Sequence, residues 1–295
     1  MDMKTKPVVA AVDFSSSSRQ VLIHAARIAE FTGAPLIVAH VVSESRLRDW
    51  ESTMGRSFDI AKGLAETTAR LQALAATVPG TENPTVDVQI GKPYRELEWV
   101  VRQNDAGLLV IGAHDLSKRR LGTVSSRCVR SMAADVLILR DWQGGGFRAI
   151  TACVDFSPTS AAGLERALTL ASGYRCPLEV LHVYHPPNRD PWGAAIDPPP
   201  DEGASYADTV RERVRRRMDA FLAGHRERLS ATDWHTHFIE GESPAAAITA
   251  HVAARDFDLT VIGSHQGSWL ENAVLGSNAE RILHDSDSSV LVVRA

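Results

Sequence analysis

The chain is short of several things that would each mark a specialised class of protein. Cysteine is scarce: Cys128, Cys153 and Cys176 are the only three. They form no C-x-x-C pair, and an odd number so widely spaced does not make a disulfide framework, which favours a reducing compartment. No apolar run approaches the roughly 18 residues of a membrane span. Nothing behind Met1-Asp2-Met3-Lys4 has the apolar core of an export signal, so a cytoplasmic protein without membrane attachment is expected. A dominant charge is also missing. With 32 basic and 36 acidic side chains the formal net charge is −4, so no global field draws the chain to nucleic acid or anionic lipid. Neither a G-x-S-x-G elbow nor a Walker G-x4-G-K-(S/T) loop occurs. The rest is ordinary: 44% hydrophobic and 23% charged residues over 295 positions is the balance of a folded protein with room for two cores.

A repeat of domain size is present. Val8-Val9-Ala10-Ala11-Val12-Asp13-Phe14-Ser15 returns as Ile150-Thr151-Ala152-Cys153-Val154-Asp155-Phe156-Ser157, an offset of 142. Behind each Asp, Leu22, Ala25, Ala26 and Ala29 and then Leu164, Ala167, Leu168 and Ala171 repeat at i, i+3, i+4, i+7, one apolar helix face. The runs Leu36–Val41 and Leu178–Val183 keep the offset of 142, and their His40 and His182 fall in step. Gly91 and Gly241 lie 150 apart, which puts eight extra residues in the second copy; they fit the Pro-rich stretch from Pro186 to Pro200. Leu108–Gly112 then matches Leu259–Gly263, and Leu137–Arg140 matches Leu291–Arg294. Each copy reads strand, helix, strand, long helix, strand, helix, strand, short helix, strand. That pattern predicts an α/β fold: two tandem open parallel five-stranded sheets flanked by helices. The linker Asp141-Trp142-Gln143-Gly144-Gly145-Gly146 reads as a flexible joint, giving domains at 1–142 and 147–295.

In such sheets ligands bind beyond the carboxyl ends of the strands, where strand order reverses. Asp13 and Asp155 end the first strand of each copy, where a carboxylate could accept from ribose hydroxyls or a base edge. They read equally well as helix entries, with Ser15 or Ser157 as N-cap and Pro158 at the first helical position. After Gly263 a polar loop leads to Leu275-Gly276-Ser277-Asn278, a glycine-containing helix start of the kind that holds phosphate.

The stretch from Val261 to Val293 resembles the C-terminal part of universal stress proteins, whose nucleotide-binding members carry G-x2-G-x9-G-(S/T). Gly263, Gln266 and Gly276-Ser277 keep that spacing, with Gln266 where the second glycine belongs. The resemblance covers the whole chain. It implies a Rossmann-like fold of the adenine nucleotide alpha hydrolase type, packed as an internal pseudo-dimer through the last strands. It also implies that Asp155 and Val183 contact adenosine while Gly263, Gln266, Gly276, Ser277 and Asn278 surround the phosphates of ATP or another adenine nucleotide, with or without Mg. Asp13, Val41, Gly112, Gly122 and Thr123 are the counterparts in the first copy. There the loop is three residues shorter and Asp115 stands at the second glycine, beside Lys118, Arg119 and Arg120. The C-terminal half is therefore the expected nucleotide site. No Ser-Gly-Gly loop of the related adenylating hydrolases follows the first strand, which leaves at most slow ATP hydrolysis as an enzymatic activity.

Other signals read as structural. Arg213, Arg215, Arg216 and Arg217 are interleaved with Glu212, Asp219 and Glu227 and backed by Val214, Met218, Phe221 and Leu222, a solvated helix rather than a nucleic-acid surface. His235 and His237 share a strand face without a third ligand nearby in sequence, so no metal is expected. His182 has an equivalent in His40, which suits a structural role, and Cys153 reads as a buried thiol. The expected function is stress-response regulation through nucleotide occupancy, with homodimerisation open. The alternative is an interaction scaffold whose sites have decayed.

Overall fold

The computed structural model of the chain describes residues 6–81, 84–113, 121–140, 145–185, 206–264 and 276–294. The N-terminal half runs β1 (Val8–Ala11), α1 (Ser18–Thr32), β2 (Leu36–Ser43), α2 (Glu44–Met54), α3 (Ile60–Ala75), β3 (Thr85–Gly91), α4 (Pro93–Gln103), β4 (Leu108–Gly112), α5 (Thr123–Ser131) and β5 (Asp135–Leu139). The C-terminal half runs β6 (Ile150–Cys153), α6 (Pro158–Tyr174), β7 (Leu178–Tyr184), α7 (Tyr206–Ala223), α8 (Arg226–Ser230), β8 (Trp234–Glu240), α9 (Pro244–Ala254), β9 (Leu259–Ser264), α10 (Ser277–Asp285) and β10 (Ser289–Arg294).

The long helix expected after the second strand is two helices in each half. In the first, Gly55 ends α2 at φ 64 and Asp59 starts α3 by accepting the Lys62 N–H at 3.0 Å. The Ser157 hydroxyl caps α6 by accepting the Ser160 N–H at 3.1 Å, with Pro158 following it. In the first half, however, the N-cap is Ser17 and not Ser15, and the Ser15 hydroxyl bonds the Ser17 hydroxyl at 2.9 Å instead of capping the helix.

All ten strands form one sheet in the order β3-β2-β1-β4-β5-β10-β9-β6-β7-β8. Neighbours are parallel except β5 and β10, which pair antiparallel with Val136 opposite Val292 and Ile138 opposite Val290. The last strands of the two halves therefore cover one another, as an apolar edge requires. Because side chains alternate across a strand, Leu137 and Leu291 fall into the core on one face, and Val136, Ile138, Val290 and Val292 into the core on the other. Each core runs without a break from one half into the other.

Polar groups repeat this near-symmetry. The Arg140 guanidinium donates to the Leu283 carbonyl, and the Arg294 guanidinium donates to the Val129 carbonyl. At the matching position the halves differ. Ser289 accepts the Arg140 N–H, whereas Asp135 accepts the Arg294 N–H at 2.8 Å and pairs with Arg166 of α6, also at 2.8 Å. Where α1 meets α6, the buried His24 ring bonds Tyr174 Oη through Nδ1 at 2.9 Å and packs on Phe147 at 4.5 Å. The expected loose joint is held at its described end: Gly145 O accepts from Arg27 at 2.6 Å, and a side chain on Gly146 would strike Tyr174. Residues 141–144 of that joint, like the Pro-rich insertion after His185, lie outside the described residues.

Candidate functional site

Strand order reverses between β1 and β4 in one half and between β6 and β9 in the other, which makes the carboxyl edge at each reversal the place where such sheets take ligands. The residues singled out in sequence gather at these two edges. Asp13 and Asp155 lie just beyond β1 and β6, Gly112 and Gly263 near the ends of β4 and β9, and Gly122 and Gly276 at the N-caps of α5 and α10. Val41 and Val183 occupy equivalent positions in β2 and β7, Thr123 opens α5, and Ser277 and Asn278 open α10. Gln266, Asp115 and Lys118, Arg119 and Arg120 lie outside the described residues.

Each Asp-Phe-Ser segment is built the same way. Asp13 Oδ1 accepts from Ser15 N–H at 2.9 Å and from the Ser18 hydroxyl at 3.1 Å, and Asp155 Oδ1 accepts from Ser157 N–H at 3.0 Å. The helix-entry role is thus present for both carboxylates. Phe14 and Phe156 are held at φ 62 and φ 65, a conformation that costs a bulky residue about 1–3 kcal/mol. The rings pack on His40 and His182 at 4.6 and 4.3 Å, and Arg70 and Arg217 cover them at 4.1 and 4.7 Å. Arg217 is therefore not a purely solvated residue of its helix.

His40 donates Nδ1–H to the Val12 carbonyl at 2.6 Å, and His182 does the same to Val154 at 2.7 Å. Burial lowers the pKa of both imidazoles below the usual histidine value, so both rings are neutral at pH 7 and keep Nε2 as an acceptor. The equivalence of these two histidines, read from the repeat, corresponds to one shared contact.

The glycines of each edge do different work. A Cβ on Gly263 would lie 2.9 Å from the Thr159 carbonyl carbon, and one on Gly112 would lie 2.6 Å from Ser17 Oγ. The first glycine therefore lets the first turn of α6, or the start of α1, seat against the neighbouring strand. Among the described residues, a Cβ on Gly276 would meet nothing within 4 Å, and as a glycine the N-cap of α10 supplies no side-chain cap.

In the N-terminal half the edge encloses a cavity of about 510 Å³. Its floor is Ala11, Asp13, His40, Val41 and Gly112, its polar side Ser17, Thr123 and Ser125, and its outer wall Arg46, Leu47, Trp50 and Phe58. The outer wall was not anticipated, although Leu47 and Trp50 stand at helical spacing in the sequence.

A second cluster was also missed. The fully buried Glu179 accepts from His251 Nε2 at 2.7 Å and faces His235 Nε2 at 3.2 Å, with the Thr151 hydroxyl at 3.3 Å. His237 stacks on His251 at 4.5 Å. The pair His235/His237 thus shares a face, as its spacing requires, and that face serves a core carboxylate. Burial pushes the Cys153 thiol above its usual range, with the Glu179 charge adding to the effect, in keeping with a structural thiol.

Two doubly wound units sharing one sheet, each with its own strand-order reversal, define a tandem α/β protein. The chain belongs to the universal stress protein family, whose model matches residues 4–140 and again 146–294. It is 25% identical over 299 residues to a universal stress protein of Mycolicibacterium smegmatis, covering 97% of this chain and 96% of that one. It is 28% identical over 155 residues to universal stress protein YxiE of Bacillus subtilis, covering 50% of this chain and 99% of that one. In fold it is similar to a Pseudomonas aeruginosa protein of unknown function, with a TM-score of 0.70 at 18% identity over 99% of this chain and 94% of that one. A universal stress protein of Archaeoglobus fulgidus gives a TM-score of 0.66 at 18% identity over 98% and 96%. No described helix is long and apolar enough to cross a membrane.

Proposed function

We propose that this chain is a stress-response regulator that binds an adenine nucleotide at the carboxyl edge of its C-terminal half, taken as residues 147–295. One observation carries the reading: α10 begins at a glycine N-cap whose Cα has no described residue beyond it within Cβ reach, on the edge that also bears Asp155 and Gly263. An uncapped helix start offers free N–H groups and the positive end of the helix dipole to an anion. Ser277 and Asn278 are exposed in that first turn, and the thirteen-residue step from Gly263 to Gly276 matches the family's phosphate loop in length. Asp155 then serves the ribose and the Val183 backbone the base. Magnesium, when bound, neutralises phosphate charge; the chain's own part is to supply N–H donors and a hydroxyl.

The test is isothermal titration of the full chain with ATP, with and without magnesium. Gly276→Val should weaken ATP binding by tenfold or more without loss of fold, since its Cβ enters open space. Unchanged affinity in that variant overturns the assignment of the phosphate position. Absence of ATP binding by the native chain leaves the chain as an interaction scaffold.

A further inference from the structure

The cluster around Glu179 belongs to the C-terminal half alone, and the repeat reveals what stands at the same places in the other half. Glu179 lies opposite His235 across β7 and β8, and Leu181 opposite His237. The same register in the first half sets Ile37 opposite Thr85 and Ala39 opposite Asp87. Val100 lies as many residues beyond Pro93 of α4 as His251 lies beyond Pro244 of α9. Ile37 and Val100 are ordinary members of the hydrophobic core on that face. The fold is therefore satisfied by apolar side chains at the two inner positions, where the second half has a carboxylate and an imidazole. The Glu179 side chain has no exposed surface, and a buried carboxylate is costly. Because one copy of the repeat folds without it, the architecture alone does not call for the cluster.

Its geometry resembles the support that proteins build behind metal-binding histidines. Glu179 takes His251 Nε2–H on one oxygen at 2.7 Å and faces His235 Nε2 with the other at 3.2 Å. An imidazole that gives Nε2–H to a carboxylate keeps Nδ1 as its lone-pair nitrogen, on another side of the ring. His235 is thereby fixed in the tautomer that has a free Nδ1, on a side chain 55% exposed. His237 stands two residues further along the same face of β8, about 6.6 Å along the strand. Its ring is stacked on His251 at 4.5 Å with 20° between the planes. Among the described residues neither of its ring nitrogens is hydrogen-bonded. His251 thus braces His237 while it shares the carboxylate with His235. Glu179 and His235 lie near the amino ends of β7 and β8, away from the carboxyl edge that bears Asp155.

We propose that His235 and His237 bind one divalent transition-metal ion of the zinc and copper class, with Glu179 as the positioning residue behind His235. Neutral imidazole pairs suit these ions, whereas magnesium and calcium prefer oxygen. Among the described residues no three His, Cys, Asp or Glu side chains form one ligand set, so the protein gives two ligands and water completes the shell. The spacing of the two histidines in sequence lacked a third group; the structure supplies one that orients a ligand instead of bonding the ion. The site is independent of nucleotide at either carboxyl edge.

The experiment titrates zinc chloride calorimetrically into the metal-stripped full chain without nucleotide, and reads the cupric form by electron paramagnetic resonance. One zinc ion per chain is expected to bind in the micromolar range, and the copper spectrum should show coupling to two nitrogens. His235→Ala and His237→Ala should each weaken zinc by about tenfold or more and remove one nitrogen coupling. Glu179→Gln should weaken zinc by about tenfold while both couplings remain, which separates a positioning residue from a ligand. The histidine variants decide the matter even if Glu179→Gln does not fold, since both lie on the outermost strand of the sheet. No zinc binding by the native chain, zinc binding unchanged in either histidine variant, or a copper spectrum without two nitrogen couplings overturns the proposal.

Discussion

His24 should make the protein acid-sensitive in a window of pH that its chemistry defines. The ring is fully buried between the two halves, bonds Tyr174 through Nδ1, and leaves Nε2 buried without a partner. Protonation would place a charge there with one N–H facing no acceptor. Burial, followed by the nearby Arg27 charge, lowers the imidazole from 6.5 to about 4. The unfolded chain therefore binds this proton at a higher pH than the folded one. The stability that His24 contributes is whole above 6.5 and is lost as the pH falls toward 4. At about 1.4 kcal/mol per pH unit, the window is worth about 3 kcal/mol, or roughly 6–12 °C in Tm for a chain of this size. The assay is thermal or urea denaturation of the native chain and of His24→Leu at intervals from pH 7.5 to 4. The variant loses the Tyr174 bond at every pH, so the quantity of interest is the change in the difference between the two curves. Other titrating groups, among them His40, His182 and His237, are present in both chains and cancel. Native stability should fall toward the variant's by about 3 kcal/mol across the window; parallel curves would refute the reasoning.

The buried carboxylate that joins the halves should matter more than its surface-exposed relatives. Asp135→Ala leaves Arg166 without its partner and the Arg294 N–H without an acceptor, and should cost about 3–5 kcal/mol in urea denaturation; a loss under 1 kcal/mol would show that the pair is dispensable. At the end of α6, Arg175 holds a left-handed conformation at φ 56 and ψ 49. Arg175→Gly should therefore raise stability by about 1 kcal/mol, and a lower Tm would be the contrary result. The thiols should resist labelling in the folded protein. Burial pushes Cys128 up to about 12 and Cys176 up to about 11, so a thiol reagent at pH 8 should react only on the timescale of unfolding, and rapid reaction of the native chain would contradict this.

How much of this was legible in the sequence depends on range. The strands were readable because both faces of a parallel strand are buried, and Leu108–Gly112 or Leu259–Gly263 then leaves an unbroken apolar run. The pairing of the last strands was implied by the family resemblance, and the apolar runs at residues 136–139 and 290–293 agree with it. The break between α2 and α3 was missed although Gly55 and Asp59 were in view, since the apolar period continues on both sides of the turn. Glu179 sat unremarked inside a strand because its partner His251 is 72 residues away. Trp50 and Phe58 were passed over for a related reason: a side chain that lines a cavity and one that fills a core have the same spacing. Asp13, Asp155, Gly112 and Gly263 were singled out from the repeat and the family motif. That Gly112 and Gly263 seat a helix against a strand needed coordinates to see.

The antiparallel join between β5 and β10 has a consequence for how the molecule meets its surroundings. The first five strands all point one way and the last five point the opposite way, so the two open edges lie at opposite ends of a single slab. No one small molecule can bridge them, and nothing docked at one end obstructs the other. Any influence of one edge on the other has to cross β4, β5, β10 and β9, the four strands between the two reversals, or the helices packed on them.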